Sequence, residues 1–220
     1  MQFDILTLFP ESFASIVDSS ILKRAIAAKK IRLKFHNFRE FTTDKHRTVD
    51  DKPYGGGPGM VLKVEPILRC LQSIRRKPRS RVILLSPQGK ILTQPKVRTL
   101  AKKFDQLIFI CGHYEGFDER VRKLADEQLS VGPYVLTGGE LPAAVIMDAV
   151  SRLLPGVLGK DESSHDESYS FGDQDSEYPH YTRPEVVTIA NKTARVPRVL
   201  LSGDHQKIFQ WRASHRRKPR

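Results

Sequence analysis

The stretch VILLSPQGKILTQPKVRTLAKKFDQLIFICGHYEG, residues 82–116, decides the fold. Residues 82–85 and 107–111 are short apolar runs rich in Val, Ile, Leu and Phe, the signature of strands buried on both faces. Residues 94–104 space their apolar side chains as a helix does. A strand, a helix and a strand in that order make a parallel crossover. The pattern continues on both sides. Residues 3–9 read as a first strand, Pro10 opens a helix with an apolar face of Phe13, Ile16, Val17, Ile21 and Ala25, and residues 31–38 alternate as a second strand. Residues 64–74 suit a helix, 118–125 a short helix and 128–131 a short strand. Residues 140–154 suit a helix whose apolar face includes Leu141, Val145, Ala149 and Leu153. The expected fold is α/β, a mainly parallel sheet flanked by helices.

Three successive strands break into loops that carry Gly and Pro. These are Leu85-Ser86-Pro87-Gln88-Gly89, Cys111-Gly112-His113-Tyr114-Glu115-Gly116 and Val131-Gly132-Pro133-Tyr134-Val135-Leu136-Thr137-Gly138-Gly139. Any one is an ordinary strand-to-helix turn. Three side by side beyond the carboxyl ends of a parallel sheet offer backbone N–H and C=O groups to a purine-like ligand. No Gly-x-x-x-x-Gly-Lys-Ser/Thr is present, and no Gly-x-Gly-x-x-Gly follows the first strand, so neither a P-loop nor a dinucleotide-binding domain is supported. Residues 39–60 read as a long loop. The densest glycine cluster, Pro53-Tyr54-Gly55-Gly56-Gly57-Pro58-Gly59-Met60, follows Arg47-Thr48-Val49-Asp50-Asp51, whose mixed charges flexibility alone does not need.

The formal net charge is +12 and the isoelectric point is near 9.8, an excess that attracts polyanions: RNA, DNA or an anionic membrane surface. No apolar run approaches the roughly 20 residues of a spanning helix, and no signal peptide is evident. Cys70 and Cys111, the two cysteines, make neither a disulfide framework nor a zinc site and point to the cytosol. The composition changes at residue 161. Residues 161–178 hold seven acidic side chains, five serines and no Lys or Arg, which reads as a linker between a domain at 1–160 and a short segment at 179–220. In that segment Ser202 or Asp204 is expected to cap a helix.

The ordered motifs resemble bacterial tRNA (guanine-N1)-methyltransferases. They are Leu8-Phe9-Pro10-Glu11, residues 46–60, Leu85-Ser86-Pro87-Gln88-Gly89, residues 111–121, residues 134–142, Ala149-Val150-Ser151-Arg152, residues 155–159, Pro179-His180-Tyr181-Thr182-Arg183-Pro184 and Val199-Leu200-Leu201-Ser202-Gly203. The resemblance covers roughly residues 1–213. It implies a trefoil-knotted domain of the SPOUT class followed by a small helical C-terminal domain. It further implies a homodimer, S-adenosylmethionine as methyl donor, and tRNA as substrate at the guanosine 3′ of the anticodon.

By the same resemblance, Leu85, Ser86, Pro87, Gly112, Glu115, Val131, Gly132, Pro133, Tyr134, Val135, Leu136, Gly138, Gly139 and Pro142 would hold the cofactor, with Glu115 at its charged methionine end. Arg152 would face guanine O6. The general base would be Glu167 or Asp166, since the family places a carboxylate directly before a serine where this chain has Asp166-Glu167-Ser168-Tyr169. Asp50, Gly59, His180 and Arg183 would lie near RNA. No residue pattern bears on a magnesium dependence. Two features depart from the family: Pro133 stands where Asp is common, and the segment after Trp211-Arg212 is shorter than usual. A tRNA- or rRNA-binding protein without catalysis and a knotted ribose 2′-O-methyltransferase are the other readings.

Overall fold

The computed structural model describes residues 1–158, 168 and 177–216. The chain divides into two compact units, Met1–Gly159 and Lys160–Arg220.

In the first unit the strands are β1 (Gln2–Thr7), β2 (Arg32–Asn37), the two-residue β3 (Asp50–Asp51) and β4 (Val61–Leu62), β5 (Ser80–Ile91), β6 (Gln106–Ile110) and β7 (Glu127–Ser130). The helices are α1 (Ala14–Val17), α2 (Ser20–Ala27), α3 (Val64–Ser73), α4 (Gln94–Lys103) and α5 (Glu140–Ser151). Five strands pair in the order β2-β1-β6-β5-β7, all parallel. The α/β class read from residues 82–116 is therefore the architecture observed.

The period-2 alternation sends successive side chains to opposite faces. Phe3, Ile5, Ile83, Leu85, Leu107 and Phe109 pack with α2, α4 and α5 on one face. Leu6, Val82, Leu84, Ile108 and Ile110 pack with Phe38, Val121 and α3 on the other. Helices thus cover both faces, which is why these strands are continuous apolar runs.

Four local readings differ. The helix expected from Pro10 is a 3-10 turn (Pro10–Phe13), then α1, then α2, broken where Ser20 takes φ 47°. The apolar run at 82–85 does not end its strand: Leu85 and Lys90 both stand opposite Leu129, so residues 86–89 leave β5 as a bulge and the strand resumes. The loop expected over 39–60 contains a 3-10 turn (Phe38–Phe41) and, through β3 paired antiparallel with β4, becomes a hairpin with the glycine cluster at its tip. The core face of α5 is Ala143, Ala144, Ile146, Met147 and Val150, whereas Leu141 and Val145 are 57% and 48% exposed. This helix is apolar on more than one face, so periodicity alone could not choose between them.

At the amino-terminal edge of the sheet Asp4, 1% exposed, accepts from Gln2 and Gln106 at 2.7 Å each and meets His36 Nε2 at 2.8 Å. Burial alone would raise its carboxyl pKa, but the bonds from His36, Gln106 and Gln2 outweigh it and hold the carboxyl below its ordinary value.

The second unit holds a hairpin, β8 (Val186–Ile189) with β9 (Lys192–Arg195), then α6 (Arg198–Leu201) and α7 (His205–Ser214). Ala190 and Asn191, both at positive φ, form the two-residue turn. Asp204 caps α7 by accepting from the Lys207 N–H, one of the two caps expected. Arg212 lies over the Tyr178 ring, 4.9 Å from its centroid. No helix of the described residues is long and apolar enough to cross a membrane.

Candidate functional site

Ligands of open parallel sheets bind beyond the carboxyl ends of the strands. A cavity of about 350 Å³ lies beyond the carboxyl ends of β6 and β7, beside the 86–89 bulge of β5. The 86–89 bulge supplies one wall, the loop after β6 a second, and the loop from β7 into α5 a third.

Twelve of the fourteen positions assigned to the cofactor line it: Leu85, Ser86, Pro87, Gly112, Glu115, Val131, Tyr134, Val135, Leu136, Gly138, Gly139 and Pro142. Gly132 and Pro133 do not. Gly132 is buried and shapes the turn, its N–H donating to Ser130 Oγ at 3.2 Å while that hydroxyl donates to the Gly132 carbonyl at 2.8 Å. Pro133 is exposed. Sequence reasoning did not assign His113, Thr137, Glu119 or Arg122, which also line the cavity. His113 belongs to the loop after β6, where nothing in the residues alone shows that it turns inward.

Behind the cavity wall the contacts are polar. Thr7 Oγ1 donates to Glu140 Oε1 at 2.6 Å, and the Phe9 N–H donates to Thr7 Oγ1 at 2.9 Å. His113 stacks at an angle on Phe9, with ring centroids 4.8 Å apart, and its buried Nδ1 has no hydrogen-bond partner among the described residues. Beside them the Cys111 thiol is pushed well above its ordinary pKa, first by complete burial and then by the Glu140 charge. It is an inert core residue, not a nucleophile.

The glycine hairpin is joined to the cavity loop by main-chain bonds. Glu115 N–H donates to Met60 O at 3.1 Å, Leu62 N–H to Gly116 O at 2.9 Å, and Asp118 N–H to Leu62 O at 2.9 Å. Asp50, half-buried, begins β3, and Gly59 lies against the Glu115 side chain.

Arg152 follows α5, exposed, with its N–H donating to Asp148 O at 3.1 Å. It does not line the cavity. At 1.5 Å per residue it stands about 15 Å along the helix from Pro142. Glu167 and Asp166 lie outside the described residues. In the second unit His180 is exposed and meets Glu177 at 2.8 Å, and Arg183 lines a separate cavity with Tyr181 and Trp211.

The family model described as tRNA (Guanine-1)-methyltransferase TrmD matches residues 1–219. The chain is 55% identical over 213 residues to the tRNA (guanine-N(1)-)-methyltransferase of Desulfitobacterium hafniense, covering 96% of this chain and 78% of that protein. It is 55% identical to the protein of the same name from Carboxydothermus hydrogenoformans, over 96% and 81% of the two chains. Against the Bacillus subtilis protein of that name, identity is 50% over 215 residues, 96% and 86% of the two chains. With a cavity of this construction and a match along almost its whole length, the chain belongs to the tRNA (Guanine-1)-methyltransferase TrmD family.

Proposed function

We propose that the protein transfers a methyl group from S-adenosylmethionine to N1 of the guanosine 3′ of the anticodon in tRNA, and that it does so as a cytoplasmic homodimer. The observation that carries this reading is the convergence of three separate strand-end loops on one cavity. Its volume of about 350 Å³ is within the range of small-molecule sites. A Cβ on Gly139 would stand 2.6 Å from Cys111 Cα, so only glycine lets the loop after β6 and the loop into α5 close together as adjoining walls.

S-adenosylmethionine supplies a methyl group already activated on a sulfonium, so the protein has to position the acceptor and manage its proton. Guanine N1 carries a proton and its lone pair is delocalised. A carboxylate, Glu167 or Asp166, would take that proton, and the Arg152 guanidinium would face the charge developing on O6. Glu115 would meet the ammonium of the methionine end. The hairpin tip at 53–60, bonded to the Glu115 loop, would lie against the target base. Asp50 would also lie near RNA, and His180 and Arg183 would contact phosphate groups, where cations give affinity without reading sequence.

The homodimer is supported by α5. Leu141 and Val145 leave an apolar stripe uncovered on a helix whose other face is core, and Arg152 stands a helix length from the cavity of its own chain. A second copy packed on that stripe would bury it and bring an Arg152 toward the neighbouring cavity.

Incubation of tRNA with isotopically labelled S-adenosylmethionine, followed by mass spectrometry of the nucleosides, tests the reading. 1-Methylguanosine is expected. A methylated ribose with no methylated base would replace it with the 2′-O-methyltransferase reading. If calorimetry detects no binding of S-adenosylmethionine, with or without tRNA, the chain is an RNA-binding protein of this fold.

A further inference from the structure

The edge of the sheet opposite the cavity carries a basic face with a fixed backbone. Between α3 and β5 the chain runs Arg75-Arg76-Lys77-Pro78-Arg79. The side chain of Gln106, fully buried at the start of β6, accepts from the Lys77 N–H at 2.7 Å and donates to the Arg75 carbonyl at 3.4 Å. Gln106 is itself held by Asp4. Arg79 donates to the carbonyls of Lys102 and Lys103 at 2.6 and 2.8 Å, tying the end of α4 to the same segment.

The nearby acids are already engaged. Asp126 meets Arg76 at 3.3 Å, Asp105 meets Arg79 at 3.6 Å and Glu127 meets Arg81 at 3.1 Å. Arg75, Lys77, Lys102 and Lys103 stay exposed, and none has an acidic side chain within ion-pair distance among the described residues. Across the sheet, Arg32 stands opposite Gln2, Gln2 opposite Gln106, and Gln106 opposite Ser80. Three strand spacings of roughly 4.8 Å place the exposed Arg32 about 14 Å from the 75–81 segment. The excess cations therefore form a row along one edge, not a solvated arm.

We infer that this edge is a second nucleic-acid contact, binding the sugar–phosphate backbone of RNA without reading its sequence. The identity of the polyanion rests on the proposed tRNA activity; the existence of the face does not. A membrane-surface site would add apolar anchors among its cations. None of the exposed large apolar side chains of the described residues lies within 75–81 or 98–105. Fixing the backbone beforehand lowers the ordering cost of each phosphate contact.

The test replaces Arg75, Lys77, Lys102 and Lys103 with Gln and measures RNA affinity by fluorescence anisotropy across a salt series, with both tRNA and a random-sequence RNA of the same length. Each phosphate contact contributes roughly 0.7–0.9 to the slope of log affinity against log salt, so loss of all four should make the slope shallower by about 3–4. Affinity at low salt should fall at least about tenfold, while turnover at saturating tRNA stays unchanged. The exchange Arg75→Lys with Lys77→Arg keeps the charge and should bind like the wild type, which separates lost charge from lost fold. An unchanged slope in a Gln variant that melts like the wild type overturns the inference. So does loss of binding to anionic vesicles with the RNA slope intact. On the random-sequence RNA the difference between the Gln variant and the wild type isolates this face, so failure of methyl transfer to tRNA would count against the proposed activity without affecting this measurement.

Discussion

A Cβ built on Gly59 would stand 2.3 Å from Cγ of Glu115, so the glycine hairpin and the cavity loop meet side by side at these two residues. Gly59 also holds φ +78°, a left-handed conformation that costs other residues roughly 1–2 kcal/mol. Whatever moves the hairpin tip must therefore move a wall of the cavity.

Gly59→Ala adds both a backbone penalty and a displacement of Glu115. The expected outcome is a drop of about tenfold in kcat/KM for tRNA, equivalent to about 1.4 kcal/mol, with weakened S-adenosylmethionine binding in calorimetry. Methyl-transfer kinetics that match the wild type would show that the two loops work independently.

Thr7→Val keeps the shape of the side chain but removes the donor to Glu140 Oε1 and the acceptor for the Phe9 N–H. Thr7 is fully buried. Leaving buried polar groups unpaired costs about 1–3 kcal/mol. Urea unfolding should show a loss of that size, and Thr7→Ser, which keeps the hydroxyl, should recover most of it. Equal losses for both variants would mean that the methyl group, not the hydrogen bond, matters.

Asp4 sets the acid end of the stability profile at the other edge of the sheet. Its carboxyl is held below the ordinary value of 3.8. The unfolded chain therefore takes up the proton first as pH falls. Asp4 stabilises the fold fully above that ordinary value, and the contribution disappears as pH drops through the lower folded value. Asp4→Asn should cost about 2 kcal/mol at neutral pH, by loss of charge-assisted hydrogen bonds. The gap between the two proteins should close below about pH 4. A gap that stays constant down to acid pH would assign the effect to packing.

The parallel sheet was legible because Val82, Ile83, Ile108 and Phe109 are buried on both faces and β-rich in sequence, so burial and propensity agree. The bulge at 86–89 was not, since Pro87 reads as the end of a strand and only the pairing of both Leu85 and Lys90 with Leu129 shows that it continues. The β8–β9 hairpin escaped because its turn uses Ala190 and Asn191 at positive φ in place of a glycine signal. Most of the cavity wall followed from motif order. Thr7 and Glu140, behind that wall, are brought together by tertiary pairing over more than a hundred residues, which no local pattern announces.

Both thiols are buried, and each is raised far from the range in which it would react. The Cys70 thiol is pushed up to about 12, first by burial and then by the Glu40 charge. That of Cys111 is raised well above its ordinary value, first by complete burial and then by the Glu140 charge. A free thiol titrates near roughly 8.5, so at about pH 8 an exposed cysteine would be alkylated readily. Iodoacetamide should therefore leave both cysteines of the native protein unmodified and label both in urea, as read by intact mass. Where labelling begins at low urea, S-adenosylmethionine should protect Cys111, which precedes Gly112 of the cavity wall, more than Cys70 on the opposite face of the sheet. Rapid native labelling of Cys111 would mean that the core behind the cavity wall opens far more often than its packing implies.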